Sequence, residues 1–159
     1  SDTLATSPLD LHVGFWMRCV SNQVSHALGL KMQAHGVTVA EWSVLRLLHD
    51  APERPTVLAS RLGLTRSAVS KLSDRLAAKE LAASKAASDD MRAQVLSLTP
   101  RGHALVPVLA KMADDNDQAF FGHLGPDHQE TLRLLMRNIL NRRRGTFMSK
   151  PSTMALPHK

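Results

Sequence analysis

The segment from Leu62 to Leu81 combines helix-forming residues with a polar face that is unusual for a solvated helix. Exposed helix positions usually carry long Glu and Lys side chains, whereas serine and threonine compete for backbone hydrogen bonds and weaken a helix interior. Here the polar positions are short hydroxyls and isolated cations, namely Thr65, Arg66, Ser67, Ser70, Lys71 and Ser73. Hydroxyls can approach phosphates and base edges closely, and Arg or Lys can bond guanine O6 and N7. These residue types favour contact with DNA.

The residues around this face have the spacing of two short helices that cross. Ala59, Gly63 and Val69 supply a small residue at the crossing, a glycine in the turn, and an apolar residue that locks the second helix. The packing around them comes from five leucines: Leu58, Leu62, Leu64, Leu72 and Leu76. A helix-turn-helix of this kind places its second helix in the major groove. A purely structural helical hairpin is the alternative, because the spacing also arises by chance.

A hairpin is predicted directly after this unit. Residues 92–98, "RAQVLSL", have the composition of a strand, and "ASDD" before them supplies turn residues, although the first arm, "LAASKA", is poor in β-branched residues. Arg92 lies just past the acidic turn, where an exposed arginine could enter a narrow minor groove, and Asp90 could hold it in place. The alternative is a solvated surface ion pair of little energetic value.

The positive charge is concentrated in two segments. The net charge of the 159-residue chain is +6. Residues 53–101 carry nine Lys/Arg against five Asp/Glu, and residues 141–159 carry five Lys/Arg and no acid. This asymmetry suggests a polyanionic partner, while a solubilising charge pattern is the alternative reading.

Helical periodicity predicts the elements that position these groups. Apolar residues spaced by three and four indicate helices over residues 9–31, 39–49, 57–62 and 66–79. We expect a capping box at Thr38 and Glu41, and caps at Thr56, Thr65 and Thr99. Pro107, inside the helix that follows Thr99, should kink or break that helix.

The fold class expected from these elements is mainly α, with a small β-hairpin wing. The last helix carries an apolar stripe of Leu132, Leu135, Met136, Ile139 and Leu140. One subunit could not easily bury both this stripe and the apolar face of the first helix, so pairing with a second copy is expected. The domain plan is an arm at 1–8, one domain at 9–143, and a basic tail at 144–159. Within the domain, the winged helix-turn-helix spans about 38–99, and dimerisation helices span about 9–31 and 100–143.

Three stretches together resemble the MarR family of bacterial transcriptional regulators: "GVTVAEWSVLRLL", "LASRLGLTRSAVSKLSDRL" and "DDMRAQVLSLTPRG". With the flanking helices, the resemblance spans residues 9 to about 143 in the family's order. It implies a homodimer that binds a pseudo-palindromic double-stranded DNA operator, usually as a repressor, and is released by a small ligand or by oxidation. A cytoplasmic location is expected separately, because the single cysteine, Cys19, cannot form an internal disulfide and so fits a reducing compartment. Carried over by position, the recognition-helix contacts are Arg66, Ser67, Ser70 and Lys71, and the wing contact is Arg92, steadied by Asp90. Thr65, at the start of the same helix, is also expected to contact DNA.

The chain departs from the family pattern at two positions. Met91 stands where the wing tip often has an arginine, and Glu80 stands where a glycine that ends the recognition helix is common.

Three kinds of signal are considered from the sequence: an oxidant, a metal ion and a small ligand. Cys19 raises a thiol switch, although its neighbours Phe15 and Val20 favour packing. His123 and His128 lack the pattern of a metal site, so no metal is predicted. The resemblance implies a small-molecule pocket between the dimerisation helices and the DNA-binding lobe. Trp16, Trp42 and Arg46 could line that pocket as two flat apolar walls and a cation for an aromatic carboxylate, and the alternative is that both tryptophans belong to the core.

The other broad classes are disfavoured. No apolar run approaches the roughly 18 residues of a membrane span. The sequence contains no nucleophile elbow, phosphate-binding loop, zinc-protease motif or dinucleotide-binding turn, so neither an enzyme nor a cofactor is expected. A winged helix used only for protein–protein contact is the remaining competitor.

Overall fold

The chain folds into six α-helices and one β-hairpin over the residues that the structure describes. The computed structural model describes residues 4–87 and 90–147, with the backbone alone at 87, 90–93 and 144–147. The helices are α1 (Val13–Gln33), α2 (Val39–Asp50), α3 (Pro55–Leu62), α4 (Arg66–Ala78), α5 (Pro100–Phe121) and α6 (Gly125–Phe147). The strands are β1 (Ala82–Ala87) and β2 (Asp90–Leu98), and short 3₁₀ turns occupy Leu9–Leu11 and Gly122–Leu124. This architecture confirms the expected fold class.

Local side-chain caps begin three of the helices as predicted. At α2, the Thr38 hydroxyl accepts from the Glu41 N–H and the Glu41 carboxylate accepts from the Thr38 N–H, both at 3.1 Å. The Thr65 hydroxyl accepts from Ala68 N–H at the start of α4, and the Thr99 hydroxyl accepts from Gly102 N–H at the start of α5. The cap predicted at Thr56 is wrong. Helix α3 already begins at Pro55, whose preset φ suits the first helical position, so Thr56 lies inside the first turn.

The hairpin forms with both predicted arms. Strands β1 and β2 pair antiparallel, with Ala82 opposite Leu98 and Ala86 opposite Gln94. Glu53, in the loop before α3, forms a one-residue antiparallel bridge with β2. Glu53 and Leu96 exchange both backbone hydrogen bonds, at 3.0 and 2.8 Å. The first arm needs no β-branched residues, since its base at Leu81 and Ala82 is buried against the core.

Two helix boundaries and one proline position differ from the sequence expectations. Helix α1 begins at Val13, after the turn at Leu9–Leu11, and not at Leu9. Helix α5 continues through Pro107, so the break does not occur. Helix α6 continues to Phe147, four residues into the segment expected as tail, and residues 148–159 lie outside the described part of the chain.

One hydrophobic core joins the C-terminal half of α1, helices α2 to α4, the base of the hairpin and the N-terminal half of α5. Its largest fully buried side chains include Met32, Leu45, Leu48, Leu58, Leu76, Leu96 and Leu109. The packing is tight where α5 meets the hairpin. A Cβ on Gly102 would collide with the Leu81 carbonyl oxygen, so this position has room only for glycine.

The other halves of the long helices remain outside this core. On α1, Leu28 and Met32 are buried, whereas Val13, Trp16 and Val20 are exposed. Every apolar residue of the α6 stripe is at least 40% exposed in the single chain. Among the helices described, none is long and apolar enough to span a membrane.

Candidate nucleic-acid interface

The turn between α3 and α4 depends on a glycine in a left-handed conformation. Gly63 ends α3 with φ 66° and ψ 33°, a region that side chains with a Cβ rarely adopt. The next N–H, that of Leu64, bonds the Ala59 carbonyl at 2.9 Å and closes the end of the helix. The chain thereby reverses into α4 within three residues, as the helix-turn-helix prediction requires.

The predicted packing residues hold α4 against the core. Val69 and Leu76 are completely buried, Leu72 is nearly so, and Ala59 is buried where α3 meets α4. Leu58 is also buried, and Leu62 and Leu64 are half-buried around the crossing. Because these residues lie on one side of α4, the orientation of its opposite face is set by packing.

The opposite face of α4 carries the predicted contact residues. Arg66, Ser67, Ser70 and Lys71 are all exposed, and so is Asp74 one turn further on. Thr65 is exposed too, but its hydroxyl is also the N-cap of the helix. Ser73 differs from the expectation, since it is half-buried and its hydroxyl donates to the Val69 carbonyl at 2.8 Å. The structure therefore brings the recognition residues together on one surface and removes Ser73 from it.

An ion pair that the sequence analysis did not identify secures the far end of α4. Lys79, directly after the helix, places its ammonium 2.7 Å from the Gly36 carbonyl and 2.9 and 2.7 Å from the two carboxylate oxygens of Glu41. Glu41 is completely buried. Burial raises the pKa of the Glu41 carboxyl, but hydrogen bonds from Lys79 and Thr38 outweigh it, and the net pKa is lowered. The capping box of α2 and the end of α4 are thus one polar cluster, which we call the Lys79–Glu41 latch.

The predicted wing contacts can be located only by their backbone. Asp90 and Arg92 lie in β2, at the hairpin end remote from the core, and their side chains fall outside what the structure describes. Met91 lies between them in β2, and only its backbone is described. On the neighbouring strand, Lys85 is an exposed cation opposite Val95. The role of Arg92 and Asp90 stays a prediction.

The three residues expected to line a ligand pocket occupy different surroundings. Trp16 is 53% exposed, and its indole N–H donates to the Asp10 carbonyl at 2.7 Å. Trp42 is half-buried against the core, as the packing alternative anticipated. Arg46 pairs with Asp50 at 2.9 Å, and this hydrogen bond lowers the pKa of the Asp50 carboxyl. Trp16 lines an apolar groove of about 670 Å³ with residues of α5 and α6, including Phe121, Leu132 and Met136, and neither Trp42 nor Arg46 belongs to its lining.

The residues weighed as redox or metal sensors are dispersed. Cys19 is half-buried on α1, in a shallow cleft with His12, Phe15 and Arg18. His128 Nδ1 lies 3.0 Å from the Leu124 carbonyl in the helix turn before it. Within the described ranges, no three His, Cys, Asp or Glu side chains are grouped as metal ligands.

Comparison with known proteins agrees with this geometry. The MarR family model matches residues 35–93, which span the latch, the helix-turn-helix and most of the hairpin. A probable transcriptional regulator from Pseudomonas aeruginosa superposes with a TM-score of 0.74 at 27% identity, covering 83% of this chain and 99% of its own. A comparison of the sequence with curated proteins gives no match.

Two further solved structures share the fold. PcaV from Streptomyces coelicolor, solved in complex with its natural ligand, has a TM-score of 0.76 at 25% identity, covering 86% of this chain and 96% of its own. Bordetella bronchiseptica BpsR, whose DNA binding is regulated by 6-hydroxynicotinic acid, has a TM-score of 0.78 at 24% identity, covering 85% of this chain and 97% of its own. The MarR family model matches the winged helix, and the helices on either side share the fold of these solved structures, so this chain is similar to MarR-family transcriptional regulators in both parts.

Proposed function

We propose that this protein is a cytoplasmic homodimer that binds a pseudo-palindromic double-stranded DNA operator, represses transcription there, and is released by a small ligand. The observation that carries the proposal is the exposed face of α4. Four residues able to contact phosphates or base edges, Arg66, Ser67, Ser70 and Lys71, share that face, while Val69, Leu72 and Leu76 bury the other. The proposal assigns the chain no catalytic reaction and no cofactor.

The charge around α4 supports a polyanionic partner. Residues 54–79 carry six Lys/Arg and one Asp/Glu. Glu53, just before this segment, faces Arg61 at 4.0 Å, and Glu41 is neutralised by Lys79 in the latch, so neither acid offsets the exposed cations of α4. A positive surface of this kind attracts DNA before any base is read.

The proposed dimer rests on the apolar residues that the single chain leaves exposed. They lie at the N-terminal half of α1 and along α6: Val13, Trp16, Met17, Val20, Leu132, Leu135, Met136, Ile139 and Leu140. The groove between these helices is also apolar, with Phe120, Phe121 and Leu124 in its wall. A monomer rarely exposes so continuous an apolar surface, whereas a two-fold interface would bury it on both copies at once. A two-fold dimer would also present two α4 helices to the two halves of a palindrome.

Similar proteins support the proposed release from DNA by a small ligand. BpsR is regulated by an aromatic acid, and PcaV was solved with a natural ligand. We propose an aromatic carboxylate as the class of effector. Trp16, Trp42 and Arg46 remain predicted ligand residues, and an anion would have to compete with Asp50 for Arg46.

The decisive experiment is to sequence the genomic DNA fragments that the purified protein retains. We expect one enriched motif with two-fold symmetry. Affinity for that motif is then measured against salt, and log K should fall with log salt at a slope of about −7 if the dimer neutralises about eight phosphates. A flat salt response, with no enriched motif, would favour the second candidate, a winged helix that contacts only protein.

The redox alternative is tested at Cys19. If a small ligand is the signal, Cys19→Ser should leave both DNA binding and its release unchanged. Release of the wild type by peroxide, with no release of Cys19→Ser, would instead identify a thiol switch.

A further inference from the structure

Two histidines that lie far apart in the sequence meet on the surface where α2 ends and α5 begins. His49 is the last residue but one of α2, and His103 lies in the first turn of α5. Their ring centroids are 5.8 Å apart, and the ring planes are inclined by 56°. Both residues are exposed, so ions in solution can reach them. We call these two residues the histidine pair.

The imidazole nitrogens of the histidine pair are available to a ligand. Neither ring forms a hydrogen bond or an ion pair with the part of the chain that the structure describes. His128 differs in this respect, because its Nδ1 lies 3.0 Å from the Leu124 carbonyl oxygen. A neutral imidazole keeps a lone pair on one nitrogen, and this makes histidine the commonest metal ligand in proteins. The two rings of the pair can therefore each offer a nitrogen to the same ion.

The separation of the two rings suits one shared metal ion. Zinc and similar ions bind imidazole nitrogens at about 2.1 Å, which puts the centroids of two rings on one ion about 5–6 Å apart. The observed separation of 5.8 Å lies within this range. Imidazole suits Zn²⁺, Ni²⁺ and Cu²⁺, whereas Mg²⁺ and Ca²⁺ prefer oxygen ligands. Because the pair supplies two ligands, water completes the coordination of the ion.

The backbone beneath each ring is held by the core. His49 follows Leu48, which is 2% exposed. His103 follows Gly102, which lies so close to the Leu81 carbonyl oxygen that a Cβ would collide with it. The two helices therefore present the rings from fixed positions, and binding an ion requires only side-chain rotation. Preorganisation of this kind lowers the entropic cost of binding.

The fixed charges beside the histidine pair cancel one another. Asp50 follows His49, and the hydrogen bond that its carboxylate accepts from Arg46, at 2.9 Å, is the main reason that the pKa of Asp50 is lowered. The charges of His49 and Arg61 lower that pKa further, and Arg61 itself faces Glu53 at 4.0 Å. Arg46 thus offsets Asp50, and Glu53 offsets Arg61. A divalent cation meets no net repulsion from these four side chains.

We propose that the histidine pair binds one divalent transition-metal ion of the zinc, nickel and copper class. The ion joins the end of α2 to the start of α5. Because the unfolded chain does not hold the two imidazoles together, the ion binds the folded chain more tightly and stabilises it. The site is independent of the proposed DNA-binding function. Spacing in the sequence could not indicate it, since the only histidines close together there are His123 and His128.

The first test is isothermal titration calorimetry of Ni²⁺ into the full-length protein without a histidine tag. His49→Gln and His103→Gln should each weaken the tightest site about tenfold or more, because one imidazole cannot chelate the ion. The variant that carries both changes should bind no more weakly than either single variant, since the two ligands act as one unit. Mg²⁺ should not compete with Ni²⁺, because it prefers oxygen ligands.

The matched control combines His123→Gln with His128→Gln. It removes the same number of imidazoles at the junction of α5 and α6, and it should leave the affinity of the tightest Ni²⁺ site unchanged. Wild-type affinity in both His49→Gln and His103→Gln would overturn the proposed site, and so would loss of the tightest site in the control. Absence of saturable Ni²⁺ binding by the wild type would do the same.

The second test measures urea unfolding with and without saturating Ni²⁺. Without the ion, the wild type, His49→Gln and His103→Gln should unfold at the same urea concentration, because both residues are exposed. The ion should raise the urea midpoint of the wild type alone. An equal rise in all three proteins would place the stabilising ion elsewhere. Binding to the pair without any rise would overturn the proposed link between α2 and α5.

Discussion

The ammonium of Lys79 lies 2.7 Å from Oε2 of the buried Glu41, and this contact joins the start of α2 to the end of α4. Glu41 also completes the capping box of α2, while Lys79 follows the last residue of the recognition helix. One carboxylate therefore begins one helix and restrains the far end of another. The latch therefore holds the end of the helix whose exposed face is proposed to read DNA.

Lys79→Met should destabilise the protein by about 1–3 kcal/mol, since it leaves a buried carboxylate without its cation. Lys79 is 38% exposed, so water would replace part of the lost interaction. Urea unfolding measures the difference. Lys71→Met, on the exposed face of α4, is the matched control and should change stability by no more than about 0.5 kcal/mol. Equal stability of the two variants would show that the latch contributes nothing.

The latch also predicts how stability depends on pH. The pKa of Glu41 is lowered below 4.5 in the folded chain, so its ionised form contributes stability above the unfolded pKa. That contribution should disappear as pH falls through the folded pKa. The difference in unfolding free energy between wild type and Glu41→Gln should accordingly be largest near neutral pH and shrink below 4.5. A difference that grows on acidification would contradict the assigned direction of the pKa shift.

Arg66→Ala and Lys71→Ala should each weaken binding to the enriched DNA motif without unfolding the protein. A residue that bonds a base should cost about 1–3 kcal/mol and relax specificity at one position, whereas a phosphate contact should weaken all sequences and reduce the salt slope by about one. Competition binding to mutated motifs distinguishes the two roles. Lys111→Ala, an exposed cation on α5 paired with Asp115, should have no effect. Full affinity in both α4 variants would remove this helix from recognition.

Arg92→Ala tests the wing separately. If the arginine enters a minor groove, its loss should weaken operator binding by roughly 1–3 kcal/mol while urea unfolding stays unchanged. Asp90→Asn should have a smaller effect, because it would loosen the arginine without removing it. Unchanged affinity in Arg92→Ala would exclude the wing from the mechanism.

Leu135→Glu combined with Ile139→Glu should convert the protein to a monomer. The two side chains are 58% and 50% exposed in the single chain and lie one turn apart on α6, so two buried carboxylates would face a two-fold partner. Light scattering after size exclusion gives the mass directly. Asn141→Glu adds a charge to the same helix outside the apolar stripe and should remain dimeric. A wild type that already has the mass of one chain would refute the proposed interface.

Structural features that depend only on residues close together in the chain could be predicted from the sequence. The caps at Thr38, Thr65 and Thr99 involve partners within three residues, and a helix start can be recognised at that distance from residue types alone. The turn at Gly63 and the buried row of Val69, Leu72 and Leu76 follow equally from periodicity and from the backbone freedom of glycine. Thr56 shows the limit of this reasoning. Pro55 and Thr56 both suit the start of a helix by residue type, and only the structure shows that α3 begins at Pro55.

The sequence alone determined the fold class, the resemblance to the MarR family, and all the residues expected on the exposed face of α4 except Ser73, because helical period and local hydrogen bonding need no distant partner. Only the tertiary structure decided the contacts that join distant segments. Lys79 meets Glu41 across 38 residues, and Glu53 meets Leu96 across the winged helix. Trp16, Trp42 and Arg46 were expected to share one pocket, yet they lie in separate surroundings. A cleft at the end of α4 instead collects residues from three segments that no spacing pattern connects. Periodicity indicates which side of a helix is apolar. Which element packs against that side depends on how all the elements bury their apolar surfaces together.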